Sequence, residues 1–148
     1  MRPADLEDVT HDVFLHLYRR MGDYDPARPL RPWVFGFAYR TAADHRKLAR
    51  HSREVITDSD RAVDSSPGAD DQLAELDQRE LFEQALDALT LEQRAVFVLH
   101  EIDEQPIAQI AIALDLPTNT AWSRLRAARA EFAAAAKRIA LRRRTRHE

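Results

Sequence analysis

The chain has no cysteine in its 148 residues. Disulfides, thiolate metal sites and a cysteine nucleophile are therefore excluded. Glycine is almost as scarce, at three residues, and none of them forms a glycine-rich loop that could cradle a phosphate. No apolar run approaches the ~20 residues that span a bilayer. The stretch Met1–Asp8 also lacks the apolar core of a signal peptide. No membrane association is expected, and the cytoplasm is the default location. A strong charge of one sign is missing too, since the formal net charge is only −3. That small total hides a division along the chain: +2 over residues 1–50, −8 over 51–90, −2 over 91–136 and +5 over 137–148. Acidic charge gathers in the middle and basic charge at the two ends. Attraction to phosphate depends on the local face presented, so the net value does not argue against a nucleic-acid partner.

What remains is a helix former's composition, 45% hydrophobic and 32% charged, rich in Ala, Leu, Arg and Glu. Apolar residues at Leu6, Val9, Val13, Phe14, Leu17 and Tyr18 recur at helical intervals. Asp5, Glu7 and Asp8 suit the positive end of that first helix. Gly22 and the prolines Pro26, Pro29 and Pro32 interrupt the pattern. A second helix is expected from about Pro32 to Arg50. It is aromatic at first (Trp33, Phe35, Phe37, Tyr39) and then basic (Arg40, Arg46, Lys47, Arg50). From His51 to about Asp71 the periodicity dissolves into Asp, Ser, Pro and Gly, which reads as a linker. Beyond it, Leu73 to Leu89 is amphipathic, and Thr90-x-x-Gln93 is a capping box opening another helix. The chain is thus read as all-α, with two small helical domains at 1–51 and 73–141. A flexible acidic linker at 52–72 joins them, and a basic tail at 142–148 follows.

The segment Pro106–Arg129 carries the most information. Ile107, Ile110, Ala111 and Leu114 define one face of a short helix. Asp115-Leu116-Pro117-Thr118 makes a tight connection, and Thr118 or Asn119 can cap the next helix, whose inner face is Ala121, Leu125 and Ala128. That is the pattern of a helix-turn-helix, which offers the start of its second helix to the DNA major groove. Asn119, Thr120, Trp122, Ser123, Arg124, Arg126 and Arg129 are then the candidate DNA contacts. Arginine pairs bidentately with guanine, and Asn, Ser and Thr bond bases or phosphates. A plain antiparallel helix pair explains the apolar spacing equally well, but not the tryptophan and arginines on the outer face.

Thr90–Leu99, Ile110-Ala111, Leu114-Asp115-Leu116-Pro117, Thr120 and Ser123–Arg129 together resemble region 4 of the extracytoplasmic-function (ECF) sigma factors. Asp5–Leu15 resembles the acidic helix of region 2 in the same family. Pro29–Phe35, Ala38, Asp44 and Arg46 resemble the segment after it. The resemblance spans most of residues 4–136, with the motifs in the family's order. It implies that Asp5, Glu7, Asp8 and Asp12 bind the β′ clamp helices of core RNA polymerase. It further implies that the loop 23–32, with Arg40, Asp44, Arg46 and Lys47, melts and reads a promoter −10 element. Residues 119–129 are implied to read the −35 element, and their domain to touch the β flap. The family often has an anti-sigma factor as a further partner. It normally has another helix before the acidic one, so region 2 is expected to be short at its N-terminus. His11 and Arg40 stand where the family usually has Gln and Asn, Asp115 and Asn119 where it has glycines, Gln109 where it has Glu, and Trp122 where it has Lys.

Two other classes compete with this reading. An enzyme would need a catalytic constellation, and none is present. The pairs His11/His16 and His45/His51 are spaced too far apart to share a helix face as metal ligands. No catalytic residue, metal or cofactor is expected. The alternative within DNA binding is a helix-turn-helix regulator that binds DNA without acting as a sigma factor, as a dimer on a two-fold site.

Overall fold

The computed structural model describes residues 3–53 and 70–144, with side chains described over 6–49 and 77–144. Most of the expected linker, residues 54–69, lies outside the described residues. So do the last four residues of the expected tail and the side chain of Asp5. Among the described residues there are six α-helices and no strand: α1 Pro3–Arg19, α2 Leu30–Arg53, α3 Asp70–Asp87, α4 Leu91–Phe97, α5 Ile107–Ala113 and α6 Thr118–Arg144. A 3-10 turn at Met21–Asp23 follows α1, and a π-helical turn at Val98–Ile102 follows α4. The all-α expectation holds. The alternating aromatics of residues 33–39 lie in helix.

Two compact units form. One combines residues 1–58 with 98–121, and the other combines 59–97 with 122–148. In the first unit α1 and α2 run antiparallel, since Asp12 meets His45 and His16 meets Thr41. Val9 faces inward from α1, and Pro32, Gly36 and Thr41 are buried along α2. Trp33 sits between Tyr24 and Phe37, each ring centroid 4.9 Å away. Tyr24 itself closes the loop by donating to the Arg28 carbonyl at 2.9 Å. Three turns on the outer side of α1 stay apolar: Leu6, Phe14 and Tyr18 are exposed, the last at 77%.

The second unit is organised around Phe132. It stacks on Phe97 at 4.8 Å and meets Phe82 edge-on at 5.3 Å. Leu89, Phe97 and Ala128 are buried there, with Leu86 beside them. The capping box forms as read from the sequence: Gln93 N–H donates to Thr90 Oγ1 at 3.2 Å, and Thr90 N–H donates to Gln93 Oε1 at 3.1 Å. Two backbone donors that α4 would leave unpaired are thereby satisfied.

Candidate nucleic-acid interface

The geometry of the helix-turn-helix begins with how α5 stops. Asp115 adopts a left-handed backbone, φ 54°. Leu116 N–H then reaches the Ala111 carbonyl at 2.8 Å, and Asp115 N–H reaches the Ile112 carbonyl at 3.2 Å. This pair of bonds is a Schellman ending, in which glycine is the usual left-handed residue because it carries no Cβ. After the turn, Ala121 N–H bonds to the Pro117 carbonyl at 3.0 Å, closing the first turn of α6.

Along α6, Ala121, Leu125 and Ala128 are fully buried. Asn119, Trp122, Arg126 and Arg129 lie at intervals of three and four on the opposite side, all exposed, with Ser123 beside them. Thr120 is half-buried. Arg124 behaves differently. It falls three residues after Ala121 and four before Ala128, so it shares the buried row. Its Nη1 is buried without a hydrogen-bond partner. The spacing already holds that signal, because a residue three positions after one inner-face alanine and four before the next falls on their side of the helix.

The first unit holds a cleft of about 680 Å³. Trp33 and Phe37 supply apolar surface, and Arg19, Arg28, Arg40 and Asp44 supply charge around it. Arg40 and Asp44, two of the four residues assigned to −10 reading, are thus brought together beside the loop. Arg46 and Lys47 do not line the cleft; both are exposed, and Lys47 lies 3.8 Å from Asp44. Arg40 stacks over the Phe37 ring at 4.9 Å and donates from Nη1 to the Ala113 carbonyl at 3.2 Å. Aromatic surface beside guanidinium groups can take an unstacked base together with its phosphate. Sequence alone assigns only packing to Trp33, and it does not foresee that α5 contributes Gln109, Ile112, Ala113 and Asp115 to the same cleft. That contact is non-local and leaves no periodic trace.

On the acidic helix, Glu7 and Asp8 are exposed, whereas Asp12 is half-buried and engaged by His45 Nε2 at 3.0 Å. Among the described residues no cluster of His, Asp or Glu could hold a metal ion. No described helix is long and apolar enough to cross a membrane.

The sequence and the fold are similar to those of known proteins. The family described as Sigma-70 region 2 matches residues 1–52, and the family described as Sigma-70, region 4 matches residues 79–132. The chain is 32% identical over 125 residues to the ECF RNA polymerase sigma factor SigL of Mycobacterium tuberculosis, covering 82% of this chain and 69% of that protein. It is 27% identical over 139 residues to the RNA polymerase sigma factor CnrH of Cupriavidus metallidurans, covering 88% and 73%. Among solved structures, the sigma factor RpoE of Bartonella quintana, in complex with the anti-sigma factor NepR, is similar in fold. Its TM-score is 0.63 at 21% identity, covering 88% of this chain and 80% of that one. CnrH in complex with the cytosolic domain of CnrY has a TM-score of 0.54 at 25% identity, covering 90% and 72%.

Proposed function

Since the chain belongs to the ECF sigma factors, which direct RNA polymerase to promoters to start transcription, we propose that its two nucleic-acid surfaces divide the promoter between them. The exposed row of α6 reads the −35 element as duplex, through Asn119, Trp122, Ser123, Arg126 and Arg129, with Thr120 at its edge. Arg124 belongs to this surface only if it turns outward from its half-buried place. The aromatic cleft, with Arg40 and Asp44 and the nearby Arg46 and Lys47, takes the −10 element as separated strand. Asp5, Glu7, Asp8 and Asp12 meet the β′ clamp helices, and the region 4 domain meets the β flap. The chain does its work in the cytoplasm, where polymerase is, and the reading asks for no catalytic step of its own.

The observation that supports this assignment most directly is the two-sidedness of α6. Ala121, Leu125 and Ala128 are fully buried on one side, and the opposite row is exposed and made of groups that bond bases and phosphates. RpoE was solved with the anti-sigma factor NepR, and CnrH with the cytosolic domain of CnrY. We extend that class of partner to this chain, and the exposed apolar residues Leu6, Phe14 and Tyr18 on α1 suit such a protein surface. Run-off transcription with core polymerase tests the whole reading. A promoter-specific transcript that depends on two spaced elements is the expected result. Tight binding of the chain alone to a two-fold duplex site, with no transcript, would favour the non-sigma regulator instead.

A further inference from the structure

The outward side of α1 is defined by what its inward side touches. Val9 is buried, Asp12 meets His45 and His16 meets Thr41, so these residues face α2. At 3.6 residues per turn, the opposite side holds Glu7, His11, Phe14 and Tyr18, spaced by four, three and four. All four are exposed, Phe14 at 65%. Beside that row runs a second, made of Asp8, Leu15 and Arg19, which is exposed as well. Asp8 and Arg19 are about three turns apart, so a carboxylate and a guanidinium occupy one flank at opposite ends of the helix. Two large apolar rings and Leu15 lie between and beside them, a surface of the kind that marks a protein contact.

This surface is complementary to itself. Asp8 and Arg19 lie equally far from a point between Val13 and Phe14. A two-fold axis through that point, perpendicular to the helix, keeps each flank on its own side and reverses its direction. Asp8 of each copy then comes level with Arg19 of the other, and Phe14 lies beside the axis. Charges on the flanks of a helix pair set its orientation in this way. A parallel pair would instead place Asp8 against Asp8 and Arg19 against Arg19.

We propose that the partner this face fits is a second copy of the chain, docked with its α1 antiparallel, so that Phe14 and Tyr18 pack across the axis and an Asp8–Arg19 pair closes each end. The charge complementarity carries the choice of occupant. One short helix from each copy makes the contact, which falls short of the ~1,200 Å² of a standard interface, so the dimer is weak and grows with concentration. It covers Glu7 and Asp8. On the sigma reading given above, on which this step alone rests, those residues meet the β′ clamp helices. The dimer and the polymerase complex therefore exclude each other, and an anti-sigma factor that uses Phe14 and Tyr18 has to displace the second copy.

Sedimentation equilibrium of the full chain, from dilute to concentrated, should show monomer passing to dimer. Phe14→Ser with Tyr18→Ser should abolish the dimer at unchanged circular dichroism, since both side chains are exposed. Asp8→Arg and Arg19→Asp should each weaken it about tenfold or more by setting like charges together. Asp8→Arg with Arg19→Asp in one chain should dimerise as wild type does, and this exchange needs no apolar residue to be lost. The chain's lack of cysteine lets direction be read by cross-linking. Leu15→Cys, near the axis, should join its own copy through a short bismaleimide with a reducible arm. Asp8→Cys should not, because its two copies lie at opposite ends. The joined Leu15→Cys dimer should bind core polymerase at least tenfold more weakly than the unjoined protein, and reductant should restore binding. A chain that stays monomeric at every concentration, a charge-exchanged variant that stays apart, or an Asp8→Cys protein that joins itself overturns the antiparallel dimer and leaves the sigma reading intact. A joined dimer that binds polymerase as well as the unjoined protein overturns the exclusion. A wild-type chain that dimerises but neither binds polymerase nor transcribes sinks the sigma reading and leaves the dimer standing.

Discussion

Asp12 and His45 face each other across the α1–α2 pair, with Oδ2 and Nε2 3.0 Å apart. The acidic residues of α1 are therefore not equivalent. Glu7 and Asp8 project into solvent, while Asp12 already has a partner within its own domain. Replacing Asp12 by Ala should weaken polymerase binding less than Glu7→Ala with Asp8→Ala. It should cost no more than about 1 kcal/mol of stability, as partly exposed ion pairs do. Biolayer interferometry against core polymerase and urea denaturation measure the two effects. A larger polymerase defect for Asp12→Ala would show that the clamp draws Asp12 away from His45.

Asp115 carries a conformational penalty that glycine would not, because its left-handed φ of 54° places a Cβ near the following carbonyl. Asp115→Gly should raise stability by about 1 kcal/mol, read as an upward shift of the urea midpoint at unchanged slope. A loss of stability would mean that the carboxylate contributes more to the turn than the strain costs.

The cap of α4 gives a second stability test. Thr90→Ala removes the acceptor for Gln93 N–H and should cost about 1 kcal/mol. Gln93→Ala removes the return bond to Thr90 N–H. The double variant should cost less than the two single losses combined, because the two bonds support one geometry. Strict additivity in thermal or urea unfolding would contradict the reciprocal cap.

Much of this architecture is legible in the residues alone. The intervals of three and four that mark Ala121, Leu125 and Ala128 are local and repeat, so the buried row of α6 can be read directly. The Thr90–Gln93 box is likewise contained within four residues. The α2–α5 contact is not legible. Arg40 and Ala113 are far apart in sequence, and nothing in either segment announces the other. The π-helical turn at Val98–Ile102 is hidden because one inserted residue shifts the phase of a helix without changing its composition. Arg124 is an intermediate case: the inner-face alanines set its row, but arginine's chemistry draws attention to bases.

Arg124 and Arg126 should therefore respond differently to substitution. Arg126→Ala should cost ~1–3 kcal/mol of binding to a −35 duplex and relax preference at one base pair. Arg124→Met keeps the aliphatic stem and removes the buried, unpartnered Nη1. It should be neutral or mildly stabilising in urea. Measuring both variants against a panel of single-base substitutions separates base reading from packing. If Arg124→Met alone relaxes sequence preference, the guanidinium turns outward on DNA.

The basic end of α6 divides in the same way. Arg143 is tied to α3, pairing with Glu80 Oε2 at 3.0 Å and donating to the Asp77 carbonyl at 2.7 Å. Its charge holds two helices of the second unit together. Arg144, at the exposed end of the helix, is available to phosphate. Removing one arginine–phosphate interaction lowers the slope of log affinity against log salt by about 1. Arg143→Ala should leave that slope unchanged and lower stability by about 1 kcal/mol. Arg144→Ala with Arg146→Ala should flatten the slope while stability holds. Titrations of duplex from low to physiological salt, beside urea unfolding of each variant, read both quantities. An unchanged slope in the double variant would show that this end of the chain does not touch DNA, and the attraction would then fall to Arg126 and Arg129 alone.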